Sequence, residues 1–228
     1  MELHFFSKPG PGFASTWVLE ACKEILGDKR DATIGYLPQG SLAAERALRE
    51  TRQYFRDVGQ IEMLDTETME LAEMEGIRRR AALVYIPGGN AFLLNHRLQG
   101  SRLAPHLRKR VQNGLPVVAF SAGAIVCGPN ILTSNDLNLV PTAHFSGLGL
   151  TPFNFNVHYV DDAEHDDWLA DYHSFHDNPL IMLEDGAYLR ITGKTTTLVR
   201  GPAWIRRAGS EKSRLAPGKT ISPTRGDS

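Results

Sequence analysis

The residues with types and spacing suited to chemistry are one serine, one histidine and a few carboxylates. Ser121 follows the apolar run Pro116 to Phe120 and precedes Ala122-Gly123-Ala124-Ile125-Val126. The run reads as a short buried strand, and the residues after the serine can open a helix. A serine on a sharp strand-to-helix turn is the arrangement of a nucleophile elbow, which holds its hydroxyl at the strand's carboxyl end. Such a turn demands small neighbours, and Ala119 and Gly123 supply them two residues to either side. The plainer reading is a helix N-cap, a position that favours serine.

A serine hydroxyl is a poor nucleophile at neutral pH and needs a base within hydrogen-bond reach. His158 ends the alternating strand Phe153-Asn154-Phe155-Asn156-Val157, where an α/β active site collects its residues. A structural histidine at a strand end is the alternative. His4, His96, His106 and His144 have no supporting context. His165, His173 and His176 lie in the acidic stretch Asp161 to Asn178 without metal-ligand spacing, so that stretch reads as a solvated helix or loop and no metal is expected.

An imidazole base needs a carboxylate to fix its tautomer and steady its charge. Asp185, in the turn Glu184-Asp185-Gly186, is the first candidate. Asp136, soon after the helix that follows Ser121, is the second, and Glu184 is a weaker third. Pro87-Gly88-Gly89-Asn90 follows another predicted strand; adjacent glycines let backbone N–H groups point where a Cβ would intrude. An ordinary turn is the alternative there.

These residues must be positioned by the elements around them. Leu3–Phe6, Thr33–Leu37, Ile61–Leu64, Ala82–Ile86 and Pro116–Phe120 read as strands with helical patterns between them. One helix carries Val18, Leu19, Cys22, Ile25 and Leu26, with Ser15 or Thr16 as cap; the next carries Ala44 to Val58. A third, capped by Asp65-Thr66, is expected to end near Gly76. Helices Ala91–Gln99 and Leu103–Gln112 precede the fifth strand. Such alternation predicts an α/β fold, a mostly parallel sheet between two helical layers. Short strands are expected at Leu180–Leu183, Ala187–Ile191, Thr195–Val199 and Ala203–Arg206. The expectation is one domain over 1–207, with 208–228 a polar tail of little fixed structure.

Among 228 residues, 42% are hydrophobic and 22% charged, with a formal net charge of −1. Nothing in that balance draws the chain to nucleic acid or to an anionic membrane. No apolar run reaches the length of a membrane span. Two cysteines in predicted helices, Cys22 and Cys127, and an N-terminus without a signal-peptide pattern point to a reduced, cytoplasmic setting.

Several segments together carry a family resemblance. Pro87 to Leu94, Phe120-Ser121-Ala122-Gly123-Ala124, Thr133-Ser134-Asn135-Asp136, Gly147-Leu148-Gly149-Leu150 and Asn156-Val157-His158-Tyr159 occur in the order seen in the peptidase E (α-aspartyl dipeptidase) family. The resemblance covers the chain from its first strand to about Arg206. It implies a fold similar to class I glutamine amidotransferases, with extra short C-terminal strands. It implies a serine peptidase of dipeptides or short peptides, working without a cofactor, and self-association as a homodimer. It carries the nucleophile onto Ser121, the base onto His158 and the acid onto Asp185, with Asp136 as second choice. It puts the oxyanion hole at the N–H groups of Gly89 and Ala122, and substrate contacts at Gly88 and Asn90.

Leu183-Glu184-Asp185-Gly186 is similar to the family's Leu-Pro-Glu-Gly, but an Asp shortens the arm by one methylene, so its bond to His158 must be rebuilt or lengthened. The family's Gly-Glu-Thr-Arg segment, whose arginine is expected to hold an aspartyl carboxylate, is also missing: no arginine occurs from Asp161 to Gly186. An acidic loop repels carboxylates, so a neutral or basic amino-terminal side chain is expected in place of strict Asp specificity. Two other readings remain: a silent binding or sensor protein on the same scaffold, and an amidase or amidotransferase. The latter relatives use an elbow cysteine, whereas Cys127 lies six residues beyond Ser121.

Overall fold

The computed structural model describes residues 1–8, 16–66, 69, 71–101 and 103–224. The sequence predicts a turn or loop over Ser7 to Gly12, of which Pro9 to Gly12 lie outside the described residues, as does the alternative cap Ser15. The first half alternates strands and helices: β1 (Glu2–Phe6), α1 (Thr16–Leu26), β2 (Thr33–Tyr36), α2 (Ala44–Phe55), β3 (Gln60–Met63), α3 (Leu71–Arg80) and β4 (Ala81–Ile86). Then come α4 (Ala91–Gly100), α5 (Leu103–Gln112), β5 (Val117–Phe120) and the short α6 (Ala122–Val126). The second half holds β6 (Asn154–Val157), α7 (Ala163–Tyr172), β7 (Leu180–Leu183), β8 (Tyr188–Thr192), β9 (Thr195–Arg200), β10 (Ala203–Arg206), β11 (Ser213–Arg214) and β12 (Thr220–Ile221).

β1, β5, β4, β2 and β3 pair in parallel in that spatial order. β8, β9 and β12 extend the sheet antiparallel beyond β1, making eight strands. Strand residues alternate faces. Phe6, Leu83, Tyr85 and Val118 pack with Val18, Cys22, Leu48 and Phe55 of α1 and α2. Phe5, Val84, Ile86, Val117 and Ala119 pack on the opposite face with Leu94 of α4, Leu107 of α5 and Ile125 of α6.

A second sheet, ordered β11-β10-β7-β6, lies on that second face. Phe155 of β6 meets Phe5 of β1 edge-on at 5.0 Å between ring centroids, which ties the two sheets together. β6 is an edge strand, and its outer carbonyls need partners. Thr133 Oγ1 donates to Phe155 O at 2.7 Å and Asn135 Nδ2 to Val157 O at 3.0 Å. The buried Asn156 returns bonds to Thr133 O and Asn135 Oδ1. The Thr133–Asp136 segment therefore braces the strand that ends at His158.

Two expectations are corrected. α3 begins at Leu71 and passes through Gly76 to Arg80, feeding β4 directly; Gly is disfavoured within a helix but does not end one when packing continues beyond it. Residues 208–224 are not without structure, because β11 pairs with β10 and β12 with β9. Two-residue strands carry no readable periodicity, and partners distant in sequence decide them. Among the described residues, no helix is long and apolar enough to cross a membrane.

Candidate active site

Ser121 has φ 52 and ψ −123, a backbone conformation that side-chain-bearing residues rarely adopt. The surroundings enforce it. Ser121 N–H donates to Phe6 O at 2.9 Å, and Ala124 N–H returns to Ser121 O at 2.9 Å. A Cβ on Gly123 would overlap the carbonyl oxygen of Ile86, so the turn can close only on glycine there. Ser121 occupies the N-cap position of α6, yet its side chain makes no cap hydrogen bond. The hydroxyl is turned to His158 instead, with Oγ 2.9 Å from Nε2.

His158 follows β6 with φ 55, and its own N–H donates to the buried Ser7 Oγ at 2.8 Å. Its Nδ1 lies 2.7 Å from Asp185 Oδ1. A proton on Nδ1 satisfies the carboxylate and leaves Nε2 as acceptor for the Ser121 hydroxyl. The shorter acid arm thus reaches the histidine directly, and the bond is not lengthened. The turn that carries Asp185 is drawn in and held. Gly186 N–H donates to Lys8 O, Ala187 N–H to Glu184 O, and Glu184 N–H to Pro202 O. Glu184 itself accepts from Trp204 Nε1 at 2.9 Å.

Asp136 is not at the histidine. Its Oδ2 accepts from Ala91 N–H at 2.7 Å and from Ser134 Oγ at 3.1 Å, so it serves the start of α4. Asn90 has a similar duty. Its Oδ1 caps α4 at Leu93 N–H and its Nδ2 donates to Leu137 O, so its side chain is already engaged. Gly88, Gly89 and Asn90 still line the same cavity as Ser121 and His158. Gly89 has φ +140, and a Cβ there would overlap Gly40 O. Ala122 N–H is the first amide of α6, one of the donors a helix start leaves without an intrahelical partner.

The cavity is about 940 Å³ and opens over the carboxyl ends of β5, β4, β2 and β1. The acidic stretch is not part of its wall. Asp162 and Glu164 line a separate hollow with Asp136 and Trp168. Lys212 pairs with Asp161 and Asp166, and Tyr159 donates to Asp166 Oδ1 at 2.5 Å. Burial, and secondarily that bond to Asp166, push the Tyr159 phenol up to about 12. Asp161 and Asp166 are turned to Lys212 of the C-terminal segment, and no residue of the acidic stretch lines the cavity around Ser121. Among the described residues, no three His, Cys, Asp or Glu side chains converge as a metal site.

Sequence reasoning missed Ser7 and Lys8, which read as turn residues. Lys8 Nζ stands 3.8 Å from Asp185 Oδ2. Both follow β1 at its carboxyl end, and that position was the available signal.

The profile of peptidase family S51 matches residues 14–199. The chain belongs to that family. It is a serine-type peptidase. Peptidase E from Nostoc sp. (strain PCC 7120) is 28% identical over 196 residues, 81% of this chain and 79% of the relative. Peptidase E from Streptomyces coelicolor is 32% identical over 151 residues, 62% of each chain. The crystal structure of a peptidase from an acI-B1 actinobacterium superposes with a TM-score of 0.75 at 19% identity, covering 97% of this chain and 96% of that one. At that identity the likeness shows the fold. This S51 peptidase has the mixed α/β architecture expected from its sequence, and the matched span contains Ser121, His158 and Asp185.

Proposed function

We propose that Ser121, His158 and Asp185 are the catalytic triad of a dipeptidase acting on dipeptides and short peptides. The observation that carries this reading is the continuous chain from Ser121 Oγ to His158 Nε2 at 2.9 Å and from Nδ1 to Asp185 Oδ1 at 2.7 Å. His158 takes the hydroxyl proton as Ser121 attacks the scissile carbonyl. Asp185 holds the tautomer and stabilises the imidazolium. The N–H groups of Gly89 and Ala122 receive the oxyanion, each worth about 2.7–4 kcal/mol by analogy with other hydrolases. His158 then returns the proton to the leaving amine, and water activated by the same ring releases the acyl group.

Lys8 supports a short substrate. It stands beside Asp185, on the His158 side of the nucleophile, where the leaving residue of a dipeptide would bring its terminal carboxylate. Two free, buried thiols support a cytoplasmic setting.

The test is hydrolysis of a dipeptide panel by wild type and Ser121→Ala, with fluorophosphonate labelling in parallel. Wild type turns over and labels at Ser121, whereas the variant keeps its far-ultraviolet spectrum and loses activity by about 10⁶-fold, the scale of a triad knock-out. An unlabelled serine, or an active variant, refutes the reading and favours a silent binding protein.

A further inference from the structure

The cavity has two unlike sides, and sheet order says which part of a peptide each receives. His158 is held by Ser7, which follows β1, and by Asp185, which precedes β8. β1 and β8 lie on one side of β5, and β4 and β2 on the other. The leaving amine must depart toward the imidazole that protonates it. The acyl residue then lies away from the imidazole, and the part of the cavity open to it extends past the Gly89 amide over the ends of β4 and β2; this step rests on the catalytic reading above.

On that side the lining is mostly apolar. Phe120, Pro38, Leu93, Leu42 and Leu139 form most of it, with Ser41 and Asn90 as its polar members. Among the described residues, the charged members of the lining, Lys8 and Asp185, belong to the opposite side together with His158. Leu42 and Leu139 are 83% and 59% exposed, so each presents a large apolar side chain to the cavity mouth without covering it. The loop that carries Leu42 is braced before any ligand arrives. Arg97 Nη1 donates to Gln39 O at 2.9 Å and Ser41 O at 3.0 Å, and Gly40 O accepts from Asn90 N–H at 2.9 Å. A preformed apolar concavity joined to a nucleophile selects side chains by the surface they bury.

We propose that this wall is the subsite for the residue on the acyl side of the scissile bond, and that it takes a bulky apolar or aromatic side chain. An aspartyl side chain placed there would lose its water without meeting a cation among the described lining residues, and a lysyl side chain would meet no carboxylate among them. The specificity-determining residues are Leu42 and Leu139 at the mouth and Phe120 beside the nucleophile.

The experiment measures kcat/KM for Phe-Leu, Leu-Leu, Ala-Leu, Asp-Leu and Lys-Leu, with fluorophosphonate labelling of the same enzyme. Phe-Leu or Leu-Leu is expected to exceed Ala-Leu by about ten- to hundredfold, the usual reach of an apolar pocket. In the double variant Leu42→Ser, Leu139→Ser the ratio of Phe-Leu to Ala-Leu falls about tenfold. Both side chains are exposed, so the fold does not depend on them. A labelled enzyme that prefers Asp-Leu, Lys-Leu or Ala-Leu overturns the apolar subsite and leaves the triad standing. So does a double variant with an unchanged ratio. An enzyme that neither labels at Ser121 nor cleaves any of the five overturns the triad, and the subsite with it.

Discussion

The two flanks of Ser121 are built on different principles. On the His158 flank each group is tied by a directional polar contact: Ser7 to the His158 amide, Asp185 to Nδ1, and the Lys8 carbonyl to the Gly186 amide. On the Phe120 flank, packing and backbone approach set the shape, with Gly88 close against the Phe120 ring and Gly89 against Gly40. Polar contacts fail when one atom moves; an apolar wall changes by degrees. The first flank should therefore respond steeply to substitution and the second gradually.

The sharpest way to break that comparison uses the two carboxylates weighed for the triad. Asp185→Asn removes the acceptor that sets the His158 tautomer, and kcat is expected to fall about 10⁴-fold. Asp136→Asn weakens a bond to the start of α4, so activity persists while stability drops by about 1 kcal/mol. Rates and urea midpoints for both variants decide it, and a larger rate loss in Asp136→Asn would reverse the assignment. Gly89→Ala comes next. A Cβ that overlaps Gly40 O, at φ +140, displaces the proposed oxyanion donor and lowers kcat by about 10²–10³-fold. Unaltered kcat would remove Gly89 from the site.

Smaller effects sharpen the picture. Lys8 and Asp185 are 56% and 53% exposed, so their pairing is weak and Lys8 remains available to an anionic substrate group. Lys8→Gln should raise KM for a dipeptide about threefold and leave the matching dipeptide amide unchanged. Equal effects on both substrates would deny it a carboxylate role.

The smallest effect lies beneath the polar flank. His4 of β1 is fully buried between Tyr188 Oη at 2.6 Å and Glu2 Oε1 at 3.1 Å. Burial holds its pKa below 6.5, against the raising effect of Glu2. The folded state then binds fewer protons than the unfolded chain. That contribution to stability is full above 6.5 and is lost as pH falls through the folded pKa. Denaturation of wild type and His4→Gln at about pH 7.5 and about pH 5.5 should show a steeper acid loss in wild type, and equal slopes would discount His4.

Much of this site was legible beforehand because its determinants are local. Ser121 sits between an apolar run and a row of small residues, and the elbow's close approach permits no larger ones. His158 ends an alternating strand. The five parallel strands follow from periodicity. Less legible were contacts between segments far apart. The sequence ranks Asp185 ahead of Asp136 but does not show how it reaches the histidine; the backbone bonds that pull the Glu184–Gly186 turn toward Lys8 and Pro202 bring it there. The place of the acidic stretch was equally illegible, since Lys212, 46 residues beyond Asp166, holds Asp161 and Asp166 from far along the chain.

From its own residues, then, the chain specified a serine on a strained turn, a histidine at a strand end and the parallel half of a sheet. Each of these rests on sterics and periodicity within a few neighbours. Tertiary structure brings Asp185, and not Asp136, to the imidazole, and it alone decided the two short C-terminal strands and the apolar face across from the base. Those depend on pairings across the chain, such as the separation of 27 positions from His158 to Asp185, and no local pattern encodes which distant partner a turn will meet.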